Sequence, residues 1–350
     1  MVPSDAMVEP LALSVVTPTF NRKRSLKRLL AALDRQSVDP TRFEVVVVDD
    51  GSSDDTLASL NPADYRFSLR VTSQANAGPA RARNRGIDEA RGQLVLFLDD
   101  DVEPSPQLIE EHLRSHAAES EQLVVIGPLS SLPHYAQPWV AWEQAKIEEQ
   151  YAAMIRGQLV PTFRQFWTGN ASLAREHLVA LGGFNAEFLR GEDVELGARL
   201  HARGLKFRFN AAASVLHYAE RSLESWSKAH QSYGRLEVEI FGQLGQAELV
   251  EVLAGNLSRL HVGTRWVLKG CFGRPKVHDA ATQLIRSWLK SPAANRAPAV
   301  SDKLCSVLAN LLYWRESADA LGPQRFARLL ELSKEIRERG VEEFGSIPNQ

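Results

Sequence analysis

The stretch LVLFLDDDVEP, residues 94–104, runs from an apolar segment typical of a buried strand directly into three carboxylates, Asp99, Asp100 and Asp101. Three adjacent like charges repel one another, so a cation is expected beside them. Carboxylate oxygens suit Mg²⁺ or Mn²⁺, and Asp99 and Asp101 together form a D-x-D pattern that predicts a metal site. Strand alternation would place these two side chains on one side. An acidic turn after the strand is the alternative.

Short β-branched runs alternate with amphipathic segments on both sides of this stretch, from Leu11 to about Gly127. Strands are expected at residues 11–20, 43–50, 67–73, 93–100 and 123–129. Helices are expected at residues 22–36, 78–90 and 106–117. This alternation predicts an α/β fold with a Rossmann-like, doubly wound and mostly parallel sheet. In such sheets ligands bind beyond the carboxyl ends of the strands, where TPTFN, DDGSSDD and DDD are expected to converge.

Net charge, cysteine spacing and the N-terminal residues limit the classes of function and the compartment that we expect. The 350 residues carry a net charge of −2, which excludes the global basic excess of a dedicated nucleic-acid binder. Cys271 and Cys305 lack the spacing of a metal site or a disulfide framework, so we interpret them as structural thiols. The N-terminal residues do not resemble a signal peptide, and a cytoplasmic protein is expected.

Three further motifs carry polar side chains suited to chemistry. In VVVVDDGSSDDT, Asp50 could accept a hydrogen bond from a uracil or guanine base, while Ser53 or Asp54 caps a following helix. In NAGPARARNRGI, a glycine turn opens a helix, and Arg81 or Arg83 could bind a pyrophosphate.

The third motif, GEDVELGARLHARG, has Glu192 and Asp193 at a helix start. They either stabilise the helix dipole or include a general base for an acceptor hydroxyl. His217 ends a strand-like segment and is either a core histidine or a third metal ligand.

The ordered series VVTPTFNR, VVVVDDGSSDDT, GPARARNRGI, FLDDDVEP, WTGNASLAR, GGFNAEF, GEDVELGARLHARG and VLH resembles family 2 glycosyltransferases of the GT-A fold, over residues 11–235. The resemblance implies that the acidic run is the D-x-D of this family, which binds the Mn²⁺ or Mg²⁺ ion of a nucleotide-diphosphate sugar. Asp101 would be the main metal ligand, with Asp99 toward the ribose or the metal and His217 nearby. Because three aspartates follow one another, Asp100 could exchange roles with a neighbour.

The same resemblance assigns the remaining roles. Asp193 would be the catalytic base, with Glu192 beside it on the acceptor side. Nucleotide-binding residues would be Pro18, Thr19, Phe20, Asp50, Arg81, Arg83, Asp99 and Asp100. Residues lining the donor sugar or the acceptor would be Thr168, Gly169, Asn170, Gly183 and Phe184.

The implied function is inverting transfer of a sugar to a hydroxyl of a glycan, glycolipid or natural product, for example in polysaccharide biosynthesis. A UDP-sugar is favoured because a carboxylate and an aromatic ring suit uracil. A catalytically inactive nucleotide-sugar-binding scaffold and a metal-dependent nucleotidyltransferase remain as alternatives. The acceptor-side motifs argue against a nucleotidyltransferase. The intact carboxylates argue against an inactive scaffold.

The chain is expected to comprise an N-terminal tail (1–10), a nucleotide-sugar-binding half (11–127), an acceptor-binding half (128–235) and a helical C-terminal region (236–350). Residues 256–300 contain eight Lys or Arg and one acidic residue, Asp279. This basic region fits a peripheral contact with the inner face of a membrane that carries a lipid-linked acceptor. A solvated helical face or a homodimer contact is the alternative.

Overall fold

The structure is a computed structural model, and it describes residues 11–118, 122–188, 190–244 and 246–339. The expected N-terminal tail, residues 1–10, lies outside the described residues. The described chain divides into two compact units. The first contains residues up to Pro133 together with Ile147–Tyr218, and the second contains His134–Lys146 and the residues from Ala219 onward.

The first unit contains a seven-stranded sheet of strand order β3-β2-β1-β4-β8-β6-β9. These strands are β1 (Leu13–Thr19), β2 (Phe43–Asp49), β3 (Ser68–Ser73), β4 (Leu94–Leu98), β6 (Leu123–Ile126), β8 (Asn170–Ala174) and β9 (Lys206–Phe209). All neighbours are parallel except β8, which runs antiparallel to both β4 and β6. The expected mixed α/β architecture with a mostly parallel sheet is confirmed.

Helices cover this sheet because their apolar residues recur on one face. The helices of the unit are α1 (Lys23–Leu33), α2 (Pro79–Glu89), α3 (Leu108–Ala118), α5 (Arg175–Ala180) and α6 (Glu192–Ala202), with the second half of α4 (Pro138–Ile155). In α1, Leu26, Leu29, Leu30 and Leu33 are buried against the sheet. The three helices expected between strands are confirmed as α1, α2 and α3, each shifted by one to three residues at its ends.

A second, three-stranded sheet of order β5-β10-β7 lies in the same unit, formed by β5 (Val102–Pro104), β7 (Leu129–Ser131) and β10 (Val215–His217). Strand β5 begins immediately after the acidic run and pairs antiparallel with β10, so that Val102 is opposite His217. This small sheet therefore brings a residue from the end of the unit beside Asp101.

Three local expectations are wrong. The strand expected at residues 123–129 is two strands, β6 and β7, separated by Gly127 and Pro128. The DDGSSDD segment precedes a short 3₁₀ turn, Leu57–Ser59, and the carboxylate of Asp54 accepts a hydrogen bond from the Thr56 amide without capping an α-helix. Strand β4 ends at Leu98, and the chain then turns, so strand alternation does not govern the acidic run.

The second unit is helical, as expected after about residue 223. Its helices are α7 (Leu223–Leu244), α8 (Gln246–Arg259), α9 (Val262–Cys271), α10 (Pro275–Leu289), α11 (Pro292–Arg296), α12 (Pro298–Leu321) and α13 (Pro323–Arg339). All of them except α11 contribute to one apolar cluster, in which Trp226 and Trp314 are almost fully buried. The expected breaks near 272–276 and 291–300 are confirmed. No helix among those described is long and apolar enough to cross a membrane.

Candidate active site

The acidic run lies where the carboxyl ends of β1, β2 and β4 meet. Leu98, the last residue of β4, is opposite Asn170 of the antiparallel strand β8. The hydroxyl of Thr19, which ends β1, donates a hydrogen bond to Oδ2 of Asp100 over 2.7 Å. The expected convergence of these segments is therefore present in the sheet.

Two arginines form ion pairs with the three carboxylates. Nη2 of Arg83 donates to Oδ1 of Asp99 over 2.8 Å. Nη1 of Arg22 contacts Oδ2 of Asp101 and lies 3.3 Å from Oδ1 of Asp100. Burial would lower the pKa of Arg22, but the charges of Asp101 and Asp100 raise it above its ordinary value. The sequence predicted a cation beside this run, and guanidinium groups supply that charge in the structure.

Asp100 is the most buried of the three aspartates. Burial raises its pKa to about 7, against the opposing effect of Arg22 and the Thr19 hydrogen bond. With one oxygen bound by Thr19 and the other near Arg22, its carboxylate ties β1 to the turn after β4.

Arg83 also reaches the acceptor-side motif. Its Nη1 donates to Oε1 of Glu192 over 2.7 Å, while its guanidinium lies 5.8 Å from the centre of the Phe184 ring. Arg83 is 6% exposed and Glu192 is 7% exposed, so this ion pair is shielded from water. Burial would lower the pKa of Arg83, but the charges of Asp99 and Glu192 raise it. One buried guanidinium thus joins Asp99 of the acidic run to Glu192.

Helix α6 places its first residues at this site. Gly191 precedes the helix with φ of 71°, a conformation that side-chain-bearing residues rarely adopt, and Asp193 follows in the first turn. Burial and the charge of Glu192 raise the pKa of Asp193 to about 7, although Arg83 acts in the opposite direction. A carboxylate with this pKa can accept a proton near neutral pH.

The residue after Arg83 fixes the GGF segment. Nδ2 of Asn84 donates to the Phe184 carbonyl over 2.8 Å, and the Phe184 amide donates to Oδ1 of Asn84 over 2.7 Å. A Cβ atom on Gly183 would lie 2.3 Å from that same Oδ1. Phe184 is buried against Phe97 of β4, so it packs beneath the site residues and is not exposed at the surface of the site.

Asp50 already has three hydrogen bonds. Its Oδ1 accepts from Nε2 of Gln74 and the amide of Ala77, and its Oδ2 accepts from the amide of Gly78 over 2.8 Å. Gly78 directly precedes α2, so Asp50 anchors the start of the helix that carries Arg81 and Arg83. Oδ2 retains one lone pair, which could accept a hydrogen bond from a base.

The segment after β1 presents an aromatic ring to solvent. Phe20 is 45% exposed, and Pro18 just before it is half-buried. The adjoining Asn21 has φ of 54°, and its side-chain oxygen accepts from the amides of Ser53 and Asp54. This loop is therefore tied to the loop after β2. Arg81, in the first turn of α2, is also exposed.

The WTGN segment enters β8 beside Asp99. A Cβ atom on Gly169 would lie 2.5 Å from a Leu129 methyl group and 3.0 Å from Oδ2 of Asp99, so glycine leaves space for that carboxylate. Thr168 is buried, and Asn170 is fully buried. The Asn170 amide bonds to His112 and to two backbone carbonyls, which makes it a structural residue that does not face the site.

His217 is the candidate third ligand. Its Nε2 lies 3.6 Å from Oδ1 of Asp101, which places an imidazole beside a carboxylate. Across the described residues, no group of three or more His, Cys, Asp or Glu side chains is arranged to hold a metal ion. Mg²⁺ and similar ions bound with substrate phosphates need only one or two protein carboxylates. The donor chemistry of Asp101 and His217 therefore fits a divalent ion.

Arg22 and Asn84 are the residues of this site that the sequence reasoning missed. Arg22 follows TPTFN, so a basic residue at the same sheet edge as the acidic run was a usable signal. Asn84 bonds a segment 100 residues away, and no local pattern indicates that contact.

Comparisons with known proteins give a consistent result. Residues 14–178 match the sequence profile of Glycosyl transferase family 2. The validoxylamine A glucosyltransferase of Streptomyces hygroscopicus subsp. limoneus is 35% identical over an alignment of 223 positions, which covers 55% of this chain and 48% of that protein. The chain thus spans about half the length of the curated relatives it matches.

Solved structures share the fold. S. aureus TarS 1-349 in complex with UDP-GlcNAc has a TM-score of 0.52 and 18% identity, covering 87% of this chain and 90% of that chain. The mannosyltransferase PcManGT from Pyrobaculum calidifontis, in complex with GDP-Man and Mn²⁺, has a TM-score of 0.50 and 17% identity, covering 94% of this chain and 87% of that chain.

Proposed function

We propose that this chain transfers a sugar from a nucleotide-diphosphate donor to an acceptor hydroxyl, because residues 14–178 match glycosyl transferase family 2 and the similar proteins include glycosyltransferases. The proposed reaction is a single displacement with inversion at the anomeric carbon, and a UDP-sugar is the favoured donor. The observation that carries the proposal is the buried Arg83, which holds Asp99 at 2.8 Å and Glu192 at 2.7 Å. It links the donor-side acidic run to the acceptor-side motif.

On the donor side, the exposed ring of Phe20 would stack on the base, and the remaining lone pair of Asp50 would accept a hydrogen bond from it. Arg81, exposed at the amino end of α2, would lie against the diphosphate, because a guanidinium binds phosphate oxygens well. Gly169, which packs closely against Asp99 and Leu129, would line the donor sugar together with Thr168.

Asp101 and His217 would hold the Mn²⁺ or Mg²⁺ ion, with Asp99 toward the ribose. When bound, the ion would supply positive charge to the departing diphosphate. The PcManGT complex with GDP-Man and Mn²⁺ supports this assignment at the level of the fold.

On the acceptor side, Asp193 would take the proton of the attacking hydroxyl as its oxygen bonds to the anomeric carbon. The bond between that carbon and the diphosphate oxygen breaks on the opposite face, and the nucleotide diphosphate leaves. A pKa of about 7 allows Asp193 to be ionised before the reaction and to hold the proton after it. Glu192, fixed by Arg83, would position the acceptor.

Calorimetric titration with UDP, GDP and dTDP, each with and without Mn²⁺, tests the proposal. We expect one nucleotide to bind only with Mn²⁺, and Asp101→Ala to lose that binding. Asp88→Ala, an exposed aspartate on α2, is the matched control and should bind as the unmodified protein does. Asp193→Asn should retain nucleotide binding but release no nucleotide diphosphate from the sugar donor. Binding that ignores both Mn²⁺ and Asp101 would overturn the proposal.

A further inference from the structure

Two consecutive helices of the second unit expose large apolar side chains. On α9, Thr264, Leu268 and Cys271 are buried, and the opposite face carries Val262 and Trp266. Trp266 is 71% exposed, which is unusual for the largest side chain. An isolated exposed apolar residue needs no explanation, but the next helix along the chain also exposes large apolar side chains.

Helix α10 repeats the arrangement. His278, Thr282, Ile285 and Leu289 form its buried face, while Val277 and Leu284 are exposed, with Leu284 at 74%. Both helices bury their inner faces in the same apolar cluster, so their outer faces turn away from the same core. Only residues 272–274 separate the two helices.

Basic side chains accompany these apolar residues. Lys269, Arg274 and Lys276 are all exposed, and Nζ of Lys269 lies 6.0 Å from the centre of the Trp266 ring. The only acidic residue from 256 to 300 is Asp279, and its carboxylate is already bonded to Arg315. We define the outer surface as Val262, Trp266, Lys269, Arg274, Lys276, Val277 and Leu284.

We propose that this outer surface binds an anionic membrane, with Trp266 and Leu284 entering the interface and the three basic residues contacting lipid phosphates. An exposed indole beside a lysine suits the boundary between headgroups and acyl chains, because its ring is amphipathic. Basic residues are attracted by the negative surface potential of such a membrane. Nucleic acid would share the phosphate contacts but would have no use for Val262, Val277 and Leu284. This inference is independent of the proposed glycosyl transfer.

Vesicle co-sedimentation of the full chain tests the proposal. We expect binding to vesicles of equal parts phosphatidylcholine and phosphatidylglycerol, with none to phosphatidylcholine alone. The double variant Lys269→Gln and Lys276→Gln should bind about 30-fold more weakly, since each basic residue contributes about fivefold. Trp266→Ser should bind about tenfold more weakly.

The matched control is Lys334→Gln with Arg339→Gln, two exposed basic residues in the second half of α13 in the same unit, and it should bind as the unmodified protein does. Far-ultraviolet circular dichroism checks that every variant is folded. Absent binding, equal binding to neutral vesicles, or equal losses in the control would overturn the proposal. So would a dimer that Trp266→Ser converts to monomer, or a DNA oligonucleotide that binds as tightly as the vesicles.

Discussion

Replacing Arg83 with methionine should destabilise the first unit strongly, because two carboxylates lose their partner at once. The Arg83 and Glu192 side chains are 7% and 10% exposed and lie 2.7 Å apart. Removing one member of such a buried pair costs about 3 to 5 kcal/mol, since the remaining charge stays buried and uncompensated. The Asp99 side chain is 35% exposed, so water can solvate it, and the loss of its ion pair with Arg83 should reduce the free energy of unfolding by at most about 1 kcal/mol.

The measurement is the free energy of unfolding in urea, followed by amide hydrogen exchange in β1, β2 and β4 so that the first unit is observed separately. Arg85→Met is the matched control on the same helix. Its partner Glu89 is four residues along, and Arg85 is 52% exposed, so a loss of about 0.5 kcal/mol or less is expected. The stability loss of Arg83→Lys should lie between those of Arg83→Met and Arg85→Met, because one ammonium group cannot bond both carboxylates as a guanidinium does.

A double variant separates charge from packing. Adding Glu192→Gln to Arg83→Met removes the buried charge, so the double variant should recover about 2 kcal/mol relative to Arg83→Met alone. If Arg83→Met unfolds like Arg85→Met, or if Glu192→Gln gives no recovery, the bridging role assigned to Arg83 is wrong.

Three other outcomes follow from the structure. The pKa of Asp193, raised to about 7, predicts that kcat/KM rises with pH through about 7, because the base must be ionised. A flat profile from pH 5.5 to 8.5, about 1.5 pH units on either side of that pKa, would contradict this role. Arg22→Gln should raise the affinity for Mn²⁺ alone by up to about fivefold, since it frees the Asp101 carboxylate. Arg24→Gln, in the first turn of the helix that follows, should leave calorimetric Mn²⁺ binding unchanged. Burial raises the pKa of the Cys305 thiol to about 12 and also raises the pKa of the Cys271 thiol, so both should react with a disulfide reagent only when urea unfolds the chain; rapid labelling of the native protein would refute their burial.

The sheet and its polar edge were predictable because they depend on local patterns. β-branched runs such as Val45–Val48 specify strands wherever they fall, and parallel connection then forces their carboxyl ends together. The position of the acidic run at this edge follows from the same patterns, and the metal ion expected there stays a prediction.

The partners within the site were not predictable, because they depend on contacts between distant residues. Arg83 meets Glu192 across 109 positions, and Arg22 meets Asp100 across 78. The alternation argument for Asp99 and Asp101 failed because the chain turns after Leu98. Asn170 matched a site motif, but its side chain is fully buried and bonds to His112 and to the carbonyls of Pro128 and Ala213.

The position of β8 constrains how this unit can be made. β4 and β6 are not neighbours in the sheet, since residues 170–174 lie between them. During synthesis, a nascent chain ending near residue 130 would hold β4 with an unsatisfied edge and β6 with nothing to pair against. The acidic run would also await Glu192 and its helix. The part of this unit before residue 130 and the part after it are therefore poor candidates for recombination as separate modules, because each lacks strand neighbours until the other is present.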